Sequence, residues 1–351
     1  MTRLTLLLLA TAQRAAADAT CGGGDRTCGR YPSIVIGCWQ ILERHDDEDA
    51  AVATLSAYMD AGFTTFDTAD IYGQSERALG RLRANYTGDA TPVIFTKYVT
   101  QDASLAEARR VNANSRAALG GSPAMVQFHW WDYSDPRFVD AASHLATLRD
   151  EGLLGEVAAC NFDVAHLRAL VDARVPIAAN QVQYSLLDRR PENGMLAFAK
   201  ARGLPLACFG AVGGGWLSDA YLGAPRAPDA RALGTVSLRM YRSPLTRWAR
   251  GGGGDAESWA LFQELLRALR AVADKRRSTI ANVAVAWVLR RLDDEGAGGW
   301  VVLGVRDTKH IAEHVALRDV ALDDDDMAVI AKVLAKGEPP SGDIWSHERA
   351  R

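Results

Sequence analysis

The sequence predicts an α/β protein built as a single (β/α)8 barrel, and three observations carry that expectation. From about residue 33 onward, short apolar runs alternate with longer amphipathic segments. Eight such units recur at a spacing of roughly 30 residues, which suits a closed parallel barrel. No Gly-x-Gly-x-x-Gly follows the first strand, so the fingerprint of an open dinucleotide-binding sheet is missing.

The elements follow in order. Strands are expected at 33–36, 63–66, 93–96, 125–128, 156–159, 178–182, 206–208 and 300–303. Helices are expected at 48–59, where Val52, Leu55 and Met59 share a face, and then at 76–82, 105–119, 138–149, 164–173 and 192–201. A long stretch after strand seven, 210–255, holds Pro225, Pro228, Pro244 and the glycine run 251–254, and reads as a loop of the kind that covers a site. Leu261, Leu265, Leu269 and Val272 then mark one helix, and Ile280, Val283, Ala284, Trp287 and Val288 another. A helix at 309–315 follows strand eight. The last helix opens on the acids 323–326, where the helix dipole favours negative charge, so they read as capping groups. The barrel is assigned to 31–337 and a C-terminal tail to 338–351.

Composition sets outer limits. Hydrophobic residues make up 48% and charged residues 24%, as expected for a chain with a sizeable core. A net charge of −3 gives no general attraction to nucleic acid or anionic membranes. No apolar run approaches the ~20 residues that cross a bilayer, so no membrane association is expected of the mature chain. The N-terminal segment 1–30 stands apart: Arg3, an apolar stretch at 4–12 and then Ala15, Ala16, Ala17 and Ala19. This order fits either a targeting signal, placing the protein in a plastid or the secretory pathway, or an unstructured tail on a cytoplasmic protein. Cys38, Cys160 and Cys208 fall in apparent strands and read as buried thiols. Cys21 and Cys28 lie near the tail, and no cysteine spacing suits a metal.

Barrel sites lie at the C-terminal ends of strands. Strand two ends in Asp67 with Tyr72 in the following loop, strand three in Lys97, and strand four in His129. An acid, a phenol, an ammonium and an imidazole thus meet on one rim. A free phenol has a pKa of about 10, and a neighbouring ammonium lowers it toward working pH. Asp67 would hold Lys97 charged and aimed, Tyr72 would donate a proton to a developing alkoxide, and His129 would hydrogen-bond the carbonyl oxygen. This division of labour calls for no metal.

At these residues the chain resembles the aldo-keto reductase family. Residues 62–80, GFTTFDTADIYGQSERALG, are similar to its signature. Lys97 in Phe-Thr-Lys-Tyr and His129 in Val-Gln-Phe-His-Trp-Trp fall where that family has its catalytic lysine and histidine. Asn161-Phe162 and Asn180-Gln181-Val-Gln-Tyr-Ser match its strand ends, and the likeness runs from about 33 to 335. The resemblance implies an NADP(H)-dependent oxidoreductase interconverting an aldehyde or ketone with an alcohol, with Asp67, Tyr72, Lys97 and His129 as catalytic tetrad and a small-molecule carbonyl substrate. By the same match, Asn161 and Gln181 bind the carboxamide and Phe209 stacks on the nicotinamide. The loop 210–217, with Gly210, Val212, Gly213, Gly214 and Gly215, crosses the pyrophosphate. Gly304, Arg306, His310, Glu313 and His314 form the adenosine side, and Trp39 and Trp130 line the substrate pocket. Three positions depart from the family pattern: Cys160 stands where serine is common, His310 where Arg or Gln is, and His314 where Asn is. Two other readings stand beside this one, a non-catalytic cofactor sensor of the same fold and a lyase using Lys97 as a Schiff base.

Overall fold

The computed structural model describes residues 31–42, 47–251 and 254–349. The segment 1–30, with the targeting-like pattern, Cys21 and Cys28, lies outside them. Eight parallel strands close into a barrel: β1 Ile34–Gly37, β2 Thr65–Asp67, β3 Val93–Thr100, β4 Met125–Trp130, β5 Glu156–Cys160, β6 Ile177–Gln183, β7 Leu206–Phe209 and β8 Gly299–Gly304. Neighbours pair in sequence order, and β1 closes on β8 with Ile34 opposite Val301 and Gly37 opposite Gly304.

Period-two alternation sorts the strand side chains into two layers. Val35, Phe95, Met125, Ala158, Ala179, Ala207, Trp300 and Val302 point inward and fill the barrel. Ile36, Phe66, Val126, Phe128, Val157, Val182 and Leu303 point outward and pack with the helices. The N-terminal end is plugged by Tyr31, whose ring meets Phe95 edge-on at 4.7 Å and whose hydroxyl donates to Glu156 at 2.7 Å. The inward residues become polar toward the other end, and the site lies there.

The outer helices are α1 Glu48–Asp60, α2 Ser75–Asn85, α3 Leu105–Ala118, α4 Phe138–Asp150, α5 Val164–Asp172 and α6 Met195–Arg202. Three of them start where a side chain satisfies a first free amide: Asp47 accepts from Asp49 N, Ser104 from Glu107 N and Asp163 from His166 N. Between β7 and β8 run α7 Val236–Thr246, α8 Asp255–Arg276 and α9 Ile280–Glu295; α10 Ile311–Ala316, α11 Asp324–Leu334 and α12 Ser346–Arg349 follow β8. The acids at 323–326 do cap a helix: Asp323 and Asp326 form a capping box, and Lys275 and Arg276 bind both.

The structure departs from the sequence reading in four places. β3 extends to Thr100, so Lys97 sits inside the strand rather than at its end. The helix expected at 192–201 starts at Met195, because Gly194 takes φ 107° between a 3-10 turn and the helix. The long stretch after β7 contains α7, despite Pro244 within it. Residues 338–349, read as a tail, return to the barrel mouth, and Arg190 forms a bidentate ion pair with Glu348 at 2.8 and 3.0 Å.

Candidate active site

The site grows from three adjacent strands. Asp67, Lys97 and His129 lie at inward positions of β2, β3 and β4, and all three are buried. Lys97 Nζ donates to Asp67 Oδ1 at 2.5 Å and to the carbonyl of Thr68 at 2.8 Å. Tyr72 comes from the loop after β2, which is pinned twice: Thr68 N donates to Phe95 O of β3, and Ser75 Oγ donates to Cys38 O beyond β1. This brings the Tyr72 ring beneath the Lys97 ammonium, 4.7 Å from nitrogen to ring centre.

Electrostatics around these groups oppose one another. Burial pushes the Tyr72 phenol up, and the Lys97 ammonium pulls it back without overcoming the burial. The expectation that Lys97 lowers Tyr72 is therefore right in sign for that one partner, while the net shift is upward. Burial works against the Lys97 charge, but Asp67 chiefly, with Tyr72 and Cys160, reverses it and holds the ammonium above its ordinary range. His129 is lowered to about 4, first by burial, with the Arg349 and Lys97 charges adding to it against the Cys160 hydrogen bond.

His129 Nδ1 lies 2.9 Å from the carbonyl of Cys160. A carbonyl only accepts, so in the neutral ring Nδ1 carries the proton and Nε2 keeps its lone pair. Nε2 is buried without a partner among the described residues. In this tautomer it accepts from a hydroxyl; it donates to a carbonyl oxygen only in the doubly protonated ring.

The residues expected on the nicotinamide side are also gathered here. Asn161, at φ 60°, is buried with Oδ1 unpartnered among the described residues, an acceptor fit for a carboxamide N–H. Phe209 is half-buried at the top of the barrel interior. Gln181 is engaged differently from expectation: its amide nitrogen donates to Asp67 Oδ2 at 2.8 Å and to Gln127 Oε1 at 2.7 Å.

The glycine loop has its own neighbour. Gly210 (φ 74°) and Gly214 (φ 67°) lie so close to α7 that a Cβ would come within 2.6 Å of Tyr241 at both positions. Within the loop, the amides of Gly215 and Leu217 donate to Val212 O and that of Gly213 to Gly210 O. The close approach these glycines permit is thus made to the chain's own helix. α7 is held from both sides, by Trp216 Nε1 donating to Leu238 O and by Ser237 donating to Gln40 Oε1.

On the adenosine side, Gly304 is exposed, Arg306 half-buried and His310 exposed with Nδ1 3.2 Å from Glu313. His314 faces α1, its Nδ1 3.1 Å from the Tyr58 hydroxyl, and burial lowers it to about 4. The nicotinamide end fits a cofactor, with a buried orphan acceptor and an aromatic face. At the pyrophosphate end α7 lies on the glycines.

Trp39 stands at the mouth, 42% exposed and 6.5 Å from the Tyr72 ring. Trp130 does not line the pocket. It follows His129 on the strand, so alternation turns it outward, where it is fully buried against Phe128 with its indole N–H on Asp132 O. Trp131 takes the place beside the site: its ring meets His129 edge-on at 4.9 Å. Trp345 also meets His129 edge-on, at 4.7 Å, and lies 4.9 Å from Trp131, so the three rings form a triangle. Arg349 donates to the carbonyls of Trp130 and Asn161 at 3.0 Å each and stacks on Tyr133 at 3.8 Å. These C-terminal residues carry no motif, and their place at the mouth is not written in local pattern.

Fold and site together define a (β/α)8 barrel with an acid, a phenol, an ammonium and an imidazole converging at one mouth. The Aldo/keto reductase family model matches residues 33–335, and the chain belongs to this family of oxidoreductases. It is 26% identical to the methylglyoxal reductase DkgA of Salmonella typhimurium, over 86% of this chain and 89% of that one. Among solved structures, the glycerol dehydrogenase AKR11B4 from Gluconobacter oxydans superposes with a TM-score of 0.74 at 21% identity, covering 91% of this chain and 97% of that one. An aldo-keto reductase from Klebsiella pneumoniae in complex with NADPH does so with a TM-score of 0.67 at 22% identity, covering 92% and 98%.

Proposed function

We propose that the protein is an NADP(H)-dependent reductase of small aldehydes or ketones, with Tyr72 as the proton donor. The observation that carries this reading is the Lys97 ammonium, paired with Asp67 and lying over the Tyr72 ring. When bound, the nicotinamide supplies or accepts the hydride at the carbonyl carbon. Asn161 Oδ1 accepts from the carboxamide, Phe209 covers one face of the ring, and Arg306 meets the 2′-phosphate with a planar donor set. Gly210, Val212, Gly213, Gly304, Glu313 and the two histidines at 310 and 314 would complete the cofactor trough in this reading.

Tyr72 gives its phenolic proton to the oxygen as it gains negative charge, and Lys97 steadies the phenolate left behind. His129 Nε2 then accepts the hydroxyl of the alcohol, which orients that alcohol for the reverse direction. A strongly held ammonium is a poor amine nucleophile, so the upward shift of Lys97 speaks against Schiff-base chemistry.

The test is steady-state reduction of a small aldehyde with NADPH by the parent and by Tyr72→Phe. The variant is expected to lose on the order of 3 kcal/mol of transition-state stabilisation, about a hundredfold or more in rate, while NADPH still quenches tryptophan fluorescence. Binding of NADPH by a parent that turns over no carbonyl would favour the sensor reading instead.

A further inference from the structure

Gln127 is the glutamine of the Val-Gln-Phe-His-Trp-Trp segment, so far without a role; it lies two residues before His129 on β4 and points the same way, into the barrel. It is buried among the catalytic groups. Its amide nitrogen donates to Asp67 Oδ2 at 2.5 Å, and its Oε1 accepts from Gln181 Nε2 at 2.7 Å. Gln181 Nε2 also reaches Asp67 Oδ2 at 2.8 Å.

The chemistry of the acceptor settles how both amides are turned, since a carboxylate oxygen accepts from N–H and repels an amide oxygen. Asp67 is thereby held on both sides, with Lys97 on Oδ1 and the two amides on Oδ2. Both protons of Gln181 Nε2 are engaged, and Gln181 Oε1 accepts weakly from Cys160 Sγ at 4.0 Å, so what is left for another molecule is the second lone pair of Oε1.

We propose that Gln127 is a positioning residue for the proton donor, acting in two ways. It draws part of the Asp67 charge away from Tyr72 while keeping the carboxylate aimed at Lys97, and it turns Gln181 so that an acceptor alone faces the nicotinamide. The inference rests on the reductase reading for its kinetic form, but not for its geometry. Paired with the unpartnered Asn161 Oδ1, the outcome is a carboxamide site that offers acceptors to the NH2 group.

The sign of the effect follows from charge. Asp67 disfavours the Tyr72 phenolate, and an amide N–H on Oδ2 weakens that influence. Gln127→Met keeps length and apolar bulk but removes the donor. It is expected to raise the Tyr72 titration by about half a pH unit, and with it the alkaline limb of carbonyl reduction, which needs the protonated phenol. Alcohol oxidation at pH 7 needs the phenolate and should fall about threefold.

Two measurements test this. One is the pH profile of kcat in both directions. The other is ultraviolet titration of the Tyr72 phenol, taken as the difference between each protein and its Tyr72→Phe partner, with no substrate or cofactor present. An upward move in both supports the proposal. A lowered Tm with profile and titration unchanged shows a merely structural glutamine and overturns it. If the parent reduces no carbonyl, the reductase reading fails while the phenol titration still decides the role of Gln127.

Discussion

Two regions of the molecule meet at the barrel mouth, and they are built on different principles. Below the mouth, Asp67, Lys97, Gln127 and Gln181 come from strands β2, β3, β4 and β6, and each is held by hydrogen bonds of 2.5–2.8 Å to another. Above it, α7 and the C-terminal residues are placed by ring contacts, a few carbonyl acceptors and the Arg190–Glu348 pair. The lower region gets its precision from strand register, where one residue's slip would turn every side chain outward. The upper region is placed by contacts made outside the strand ladder. The difference sets a site floor fixed by register beneath a rim fixed by side-chain contacts.

The sharpest way to break this contrast is at its firmest point. Lys97→Met strands the Asp67 carboxylate in the interior, and losing one partner of a buried pair costs about 3–5 kcal/mol. Urea unfolding should show that loss, with turnover lost alongside. A cost below 1 kcal/mol would mean that water reaches Asp67 and the interior is looser than the hydrogen bonds indicate.

Above the mouth the expected effects are smaller. Trp345→Ala removes two aromatic contacts, each worth about 0.5–1.5 kcal/mol. KM for a small aldehyde is expected to rise by up to about tenfold, with kcat less affected. A fall in kcat with KM unchanged would make Trp345 part of the lower region through its contact with His129. Arg306→Ala should weaken NADPH about tenfold more than NADH, or about 1.4 kcal/mol. Equal weakening of both would remove Arg306 from the 2′-phosphate.

A separate effect concerns pH. Asp70, in the loop between Asp67 and Tyr72, is raised from 3.8 to about 7, chiefly by burial, and accepts from Val99 N. Its folded form holds a proton more tightly than the unfolded chain does. The stability it confers is therefore complete below pH 3.8 and lost as pH rises to about 7. Asp70→Asn keeps the acceptor for Val99. Its Tm advantage over the parent should open between pH 4 and 7 and stay constant above; a constant gap at all pH values would show that Asp70 does not titrate there.

The lower region was largely legible in the sequence, and the upper one was not. Strand periodicity and strand-end position locate Asp67, Lys97 and His129, with Tyr72 in the loop after Asp67, and the likeness of residues 62–80 to a family signature adds their expected roles. The same period-two rule identifies Trp130 as outward and Gln127 as inward, but only once the strand is known to run through Trp130 without a break. Helix α7 was hidden because Pro244 and the surrounding glycines suggest irregular chain. It is held by tertiary contacts from Trp216 and Gln40, which local propensity does not report. Trp345 and Arg349 reach the site by returning across the fold to Asn161 and His129, and no spacing encodes such a return. The sequence reads the glycines of the β7 loop as permitting a close approach to a phosphate, and it does not show the approach of Gly210 and Gly214 to Tyr241, which lies 27 residues or more along the chain.

Closure of the barrel between Ile34 and Val301 also bears on how the protein is made. The four groups of the proposed tetrad lie on the early strands, the Gln181 donor arrives with β6, and the ring shuts only when β8 pairs with β1. Contacts so distant along the chain are slow to form, because the loop entropy is lost before they reward it. A half-assembled barrel therefore holds the reactive groups without their register, and competence for the reaction arises late and together with the ring.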